Sequence, residues 1–127
     1  MVAGILLDTS VAIELVKKNN QAVIDAVKSE APSSVSISGV TRFELEVGAQ
    51  NEDDLNKIRD IPCISVDCAS FSTAACIYKK LMLVGKKPSF PDCIIAACAI
   101  FNDCMLLTMD KDFVLFEEFG LKMKLLS

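Results

Sequence analysis

Short, continuously apolar runs alternate along this chain with longer stretches in which apolar positions return every three or four residues. The short runs predict strands at residues 4–7, 35–37, 63–66, 105–108 and 121–125. The middle of the first, ILL, is apolar on both faces, as expected of a central strand covered from both sides. The amphipathic stretches predict helices at residues 11–18, 22–29, 40–47, 53–59, 69–84, 91–101 and 112–119. Ser89 and Pro91 mark a helix start, and Gly85 and Gly120 mark helix ends. Strands alternating with helices are the signature of an α/β fold around a parallel sheet. No repeat, low-complexity stretch or linker interrupts the pattern, so the expectation is one domain over residues 1–127.

Composition narrows the picture. With 127 residues, 52% hydrophobic and 24% charged, the chain can build one sizeable core and does not have the make-up of a disordered segment. There is no Trp and only 6% of residues are aromatic, so that core must be aliphatic. The N-terminus lacks a basic region and VAGILL runs straight into a polar DTS, so no signal peptide is expected. The longest apolar run, residues 93–101, is far shorter than the ~20 residues a membrane helix needs. The expected compartment is the cytoplasm. Six cysteines without a C-x-x-C, in a chain without histidine, argue against a zinc site. Their apolar neighbours, as in PCISV and IIAACAI, predict mostly buried, reduced thiols. A net charge of −4 argues against a strong, sequence-independent grip on nucleic acid. It leaves a nuclease open, because the lysine pairs 17–18, 79–80 and 86–87, with Arg42, can form local basic patches. Any single pair reads more readily as a solvated helix face.

The candidate chemistry lies in four acids at the edges of these elements. Asp8 ends the run GILLD at the carboxyl end of the first strand, where ligands bind in open α/β sheets. Its alternative reading is an N-cap for the next helix. Glu44 shares a helix face with Thr41 and Gly48, whereas Glu46 points elsewhere; the alternative is a capping box from Thr41 if that helix starts late. Asp92 lies in the first turn of a helix, on one face with Ile95, Ala96 and Ala99, and also fits a capping box with Ser89. Asp110 follows the strand MLLT, with Asp112 the better candidate for helix N-cap. Carboxylates without imidazole make a site for a hard divalent cation such as Mg²⁺ or Mn²⁺, which points to phosphodiester hydrolysis. The hydroxyls of Thr9, Ser10 and Thr108 lie close enough in sequence to bond these acids or a phosphate, and serve equally well as backbone caps.

Four motifs in order, LLDTS, T-x-x-E-L-x-x-G at residues 41–48, D-x-x-I-A-A at 92–97 and T-x-D-x-D-F at 108–113, resemble the PIN-domain family, specifically its small VapC-like toxins. The likeness runs over almost the whole chain; Pro91, directly before the third acid, is its one departure. The resemblance implies a three-layer α/β/α fold with a five-stranded parallel sheet, and a metal-dependent ribonuclease with Asp8, Glu44, Asp92 and Asp110 at its site. In that reading Asp8, Asp92 and Asp110 hold Mg²⁺ or Mn²⁺, and Glu44 orients or deprotonates the attacking water. It further implies an RNA substrate, a cognate antitoxin and a homodimer, for which residues near the long helix such as Ile77, Leu81 and Leu83 are candidates if the core does not claim them. Two rivals stand beside it. A phosphatase using Asp8 as nucleophile wants a second Asp where Ser10 stands, and Lys86 or Lys87 as its lysine. A non-catalytic scaffold would use the acids only as caps.

Overall fold

The computed structural model describes residues 3–30 and 35–127. Five strands, β1 (Gly4–Leu7), β2 (Ser36–Ser38), β3 (Cys63–Ile64), β4 (Cys104–Thr108) and β5 (Lys122–Leu125), form one all-parallel sheet in the order β3-β2-β1-β4-β5. The helices between them are α1 (Thr9–Val16), α2 (Gln21–Glu30), α3 (Gly39–Val47), α4 (Glu52–Arg59), α5 (Cys68–Leu83) and α6 (Phe90–Phe101). The segment Lys111–Phe119 is a 3₁₀ helix, closed by Gly120 at φ +100°, a conformation glycine adopts without Cβ strain.

Alternation along the strands builds the two flanking layers. Leu6 and Leu106 join the cluster formed by α5, α6 and the 3₁₀ helix, with Ile77, Leu81, Ile95, Phe113 and Phe116. Ile5, Leu7 and Leu107 join the opposite cluster, with Val11, Val27, Leu45 and Ile58 from α1 to α4. Strand order explains the division. The chain steps outward from β1 to β3, then crosses back to β4 and β5, and right-handed crossovers put the two journeys on opposite faces. The direction reverses between β1 and β4, and in open α/β sheets ligands bind beyond the carboxyl ends of the strands at such a reversal.

The predicted strands and helices are all present with small shifts in their bounds. The cysteines are a correction: Cys93, Cys98 and Cys104 are buried, but Cys63, Cys68 and Cys76 are exposed, and all six are free. Helix α5 buries Ser70, Ala74, Ile77 and Leu81, a stripe at helical spacing. Cys76 stands next to that stripe in sequence and about 100° from it around the axis. Leu83 is 86% exposed while Ile77 and Leu81 belong to the core.

Candidate functional site

Asp8 follows β1 directly, and its backbone N–H extends the ladder to Leu107 O at 3.1 Å. Its carboxylate is nearly fully buried. Oδ1 accepts from Val11 N at 3.0 Å and from Ser10 Oγ at 2.7 Å, and Oδ2 accepts from Thr108 Oγ1 at 2.5 Å. Asp8 therefore does cap α1. Burial pushes its pKa up; the bonds from Thr108, Ser10 and Val11 pull it down, and the charge of Asp110 pushes it up again.

Two hydroxyls here serve twice. That of Thr108 donates to Asp8 and accepts from Asp110 N at 2.9 Å. That of Ser10 donates to Asp8 and accepts from Met109 N at 3.1 Å. The ends of β1 and β4 are thus stitched together, and Asp110 is fixed relative to Asp8. Asp110 Oδ1 also accepts from Asp112 N at 2.9 Å, which makes Asp110 the N-cap of the 3₁₀ helix. That corrects the expectation for Asp112: the helix begins one residue earlier, and Asp112 is an exposed first-turn residue.

Asp92 enters from the opposite layer. Ser89 caps α6 by accepting from Asp92 N at 3.1 Å, and Pro91 occupies a first-turn position where its missing N–H costs nothing. The fully buried Ala96, Ala97 and Ala99 let α6 lie close to the sheet. Burial drives the Asp92 pKa up to about 6, against the pull of Ser89, and the charges of Asp110, Asp8 and Glu44 add to the rise. All three other candidate acids lie near enough for their charge to reach this one group.

Glu44 stands on an exposed part of α3, and its Oε1 accepts from Thr9 Oγ1 at 2.6 Å. The helix starts early, capped by Ser38, whose Oγ accepts from Thr41 N at 3.2 Å. The late-start capping box between Thr41 and Glu44 does not form, and Thr41 is wholly buried within the helix. Glu46 turns away to Arg42 (Nε to Oε2, 2.8 Å) and Arg59 (Nη2 to Oε1, 3.1 Å). The sequence marked the hydroxyls of Thr9, Ser10 and Thr108, and Thr41 as sharing a face with Glu44; that of Ser38, the cap of α3, went unmarked.

The donors here are oxygens only, which suits a hard cation. Among the described residues, no three Asp, Glu or Cys side chains are already gathered around one point that a metal ion would occupy. The arrangement fits an ion that retains much of its own water and takes only one or two carboxylates at a time, as Mg²⁺ does.

The basic residues marked in the sequence divide into two groups. Arg42 is engaged by Glu46, Lys18 lies 3.8 Å from Glu14, and Lys17 Nζ donates to Gly48 O. Lys79, Lys80, Lys86 and Lys87 are exposed and, among the described residues, make no ion pair. A cleft of about 320 Å³ between α5 and α6 is lined by apolar groups including Phe71, Tyr78, Phe90 and Ile94, and none of the four acids lines it. Phe43, beside Glu44, and Phe90, two residues before Asp92, are 69% and 67% exposed.

Known proteins resemble this chain in sequence and in fold. Ribonuclease VapC3 of Methanocaldococcus jannaschii is 34% identical over 92 residues, covering 72% of this chain and 94% of the relative. The structure of VapBC-1 from nontypeable Haemophilus influenzae matches with a TM-score of 0.78 at 21% identity, over 95% of this chain and 96% of that one. That of VapBC2 from Rickettsia felis, bound to a DNA fragment from their promoter, matches with a TM-score of 0.77 at 17% identity, over 94% and 96%. At such identities the structural likeness speaks for the fold. The PIN domain family matches residues 5–118, a span that includes Asp8, Glu44, Asp92 and Asp110. The chain belongs to the PIN-domain family.

Proposed function

We propose that this chain is a metal-dependent ribonuclease that hydrolyses phosphodiester bonds of RNA, acting as the toxin of a VapBC-type toxin–antitoxin pair. The observation that carries the reading is the placement of Asp8 and Asp110 beyond the carboxyl ends of β1 and β4, joined by two hydroxyls. Glu44 is bonded to Thr9 beside Asp8, and Asp92 lies near enough for the charges of the other three to add to the rise that burial sets in its pKa. Asp8, Asp92 and Asp110 would hold Mg²⁺ or Mn²⁺. An ion there supplies positive charge against the scissile phosphate and relieves the repulsion among the acids.

The chain's own residues do the rest. Ser10 and Thr108 keep Asp8 and Asp110 in register with each other. Glu44 orients the attacking water and takes its proton as the new P–O bond forms and the P–O bond to the leaving ribose oxygen breaks, that oxygen taking a proton from solvent. The unpaired lysines at 79, 80, 86 and 87 are the candidates for holding the RNA backbone. The exposed Phe43, Val47, Leu83 and Phe90 are apolar surface available to a second copy or to an antitoxin, of the kind named in the VapBC complexes this fold resembles.

Cleavage of a labelled single-stranded RNA, with Mn²⁺, with Mg²⁺ and with chelator, tests the reading. Wild type should cut only with metal, and Asp8→Asn should lose at least ~10³-fold in rate, within the range expected for removal of a central catalytic group. Comparable cleavage by a clean Asp8→Asn preparation would reject the site. Thermal stability gives a readout independent of substrate. At a hundred times its Kd, Mn²⁺ should stabilise wild type by about 2.7 kcal/mol and the variant by much less.

A further inference from the structure

We propose that Thr9 is a positioning residue that selects the working conformation of Glu44; the inference rests on the ribonuclease reading of the site. Glu44 sits mid-helix on α3 and is exposed, and the described residues offer its carboxylate one hydrogen-bond donor, the Thr9 hydroxyl at 2.6 Å. A glutamate side chain has three rotatable torsions. Without that bond, no other donor among the described residues would hold it in one rotamer.

Thr9 is suited to the task on three counts. It directly follows Asp8 as the first residue of α1, so its position is fixed by the same cap that fixes the central acid. It is β-branched, so χ1 is restricted and the hydroxyl direction is set by the backbone. Its oxygen is also 3.1 Å from Thr41 Oγ1. A hydroxyl has one proton, and the short contact to a charged oxygen claims it. Thr41, fully buried one turn before Glu44, then donates to Thr9 in turn, with Ser38 Oγ 3.5 Å behind it. Aligned hydroxyls polarise one another, so the chain from Ser38 through Thr41 and Thr9 ends on Glu44 as a strengthened donor. The bond joins residues 35 positions apart and links the N-terminus of α1 to the middle of α3.

The plain alternative is that Thr9 only helps α1 and α3 pack. Thr9→Val keeps the shape and removes the hydroxyl, and Thr9→Ser keeps the hydroxyl and removes the methyl. With a labelled single-stranded RNA and Mn²⁺, Thr9→Val should lower kcat about 10- to 100-fold with KM nearly unchanged, and Thr9→Ser should restore most of it. In a Glu44→Gln background, Thr9→Val should cost little more, because both changes remove the same function. Full additivity in that background, or wild-type kcat in Thr9→Val, would overturn the proposal. A crystal structure of Thr9→Val supplies a readout that does not depend on cleavage: Glu44 should leave its single conformer, and an unmoved Glu44 would overturn the proposal even in an active nuclease. If wild type itself cuts no RNA, the ribonuclease reading fails, and the Glu44 conformer still decides whether Thr9 holds it.

Discussion

The four acids rest on two kinds of support. Asp8 and Asp110 follow β1 and β4, adjacent strands paired in register from Gly4 with Cys104 to Leu7 with Leu107, and two hydroxyls bridge their ends. Glu44 and Asp92 ride on helices from opposite layers, α3 and α6. Paired strands cannot slip without breaking the ladder and turning every side chain to the wrong face. Packed helices can shear by small amounts against a sheet. The strand half of the site is therefore a fixed frame, and the helix half depends on individual bonds and on charge. A site that must admit a bulky polyanion gains from that division: the frame holds the central acids while the helices adjust around them.

The largest effect on stability should come from breaking the frame. Thr108 is fully buried and its hydroxyl serves Asp8 Oδ2 and Asp110 N together. Thr108→Val nearly preserves volume and leaves both partners unmet. An unsatisfied buried polar group costs about 1–3 kcal/mol, so the melting temperature should fall on the order of 10 °C. A fall of only a degree or two in thermal denaturation would mean that water replaces the hydroxyl, and the frame would be no stiffer than the helix half.

The second effect probes the helix half through its charge. Burial, with the charges of the neighbouring acids behind it, pushes the Asp92 pKa up to about 6 from 3.8 for the free side chain, and burial shifts Asp8 the same way. A raised carboxylate pKa means that the folded state favours the protonated form. The associated stability is complete below about pH 4 and is lost as pH rises through about 6. In chelator, the melting temperature should therefore decline between pH 4 and pH 7, and Asp92→Asn should flatten much of that decline. A wild-type curve that rises over this window would remove the burial of Asp92, and the neighbouring charges that add to it, from the account, and an equal slope in Asp92→Asn would place the cause elsewhere.

Much of this was legible in the sequence because it is local. Strands announce themselves by unbroken apolar runs such as ILL, and Asp8, Asp92 and Asp110 stand at element edges that turn and cap chemistry makes visible. The failures are where neighbours in sequence are not neighbours in space. Cys68 and Cys76 have apolar companions, yet α5 turns them away from the stripe that faces the core. The choice between Asp110 and Asp112 as cap turned on a one-residue boundary. The bond from Thr108 to Asp8 spans 100 residues, and that from Thr9 to Glu44 spans 35. Periodicity carries no trace of such pairs; they follow from strand order, which brings β4 beside β1 and α3 beside α1.

The smallest expected effect separates helix docking from side-chain positioning. Lys17, the C-cap of α1, reaches across to Gly48 O at the end of α3, where a cation also meets the negative end of the helix dipole. A Cβ on Gly48 would lie 2.7 Å from Lys17 Nζ, so the ammonium lies directly against the Gly48 backbone. Lys17→Met keeps the aliphatic stem and removes the donor. Because the ammonium is exposed and screened by salt, the melting temperature should drop only by about a degree or two, and less at high ionic strength. RNA cleavage should stay within about twofold of wild type, since Thr9 holds Glu44 wherever α3 settles within that small freedom. A tenfold loss of cleavage in Lys17→Met would reverse the inference. The docking of α3, rather than one hydroxyl, would then position Glu44, and the helix half of the site would prove as rigidly framed as the strand half.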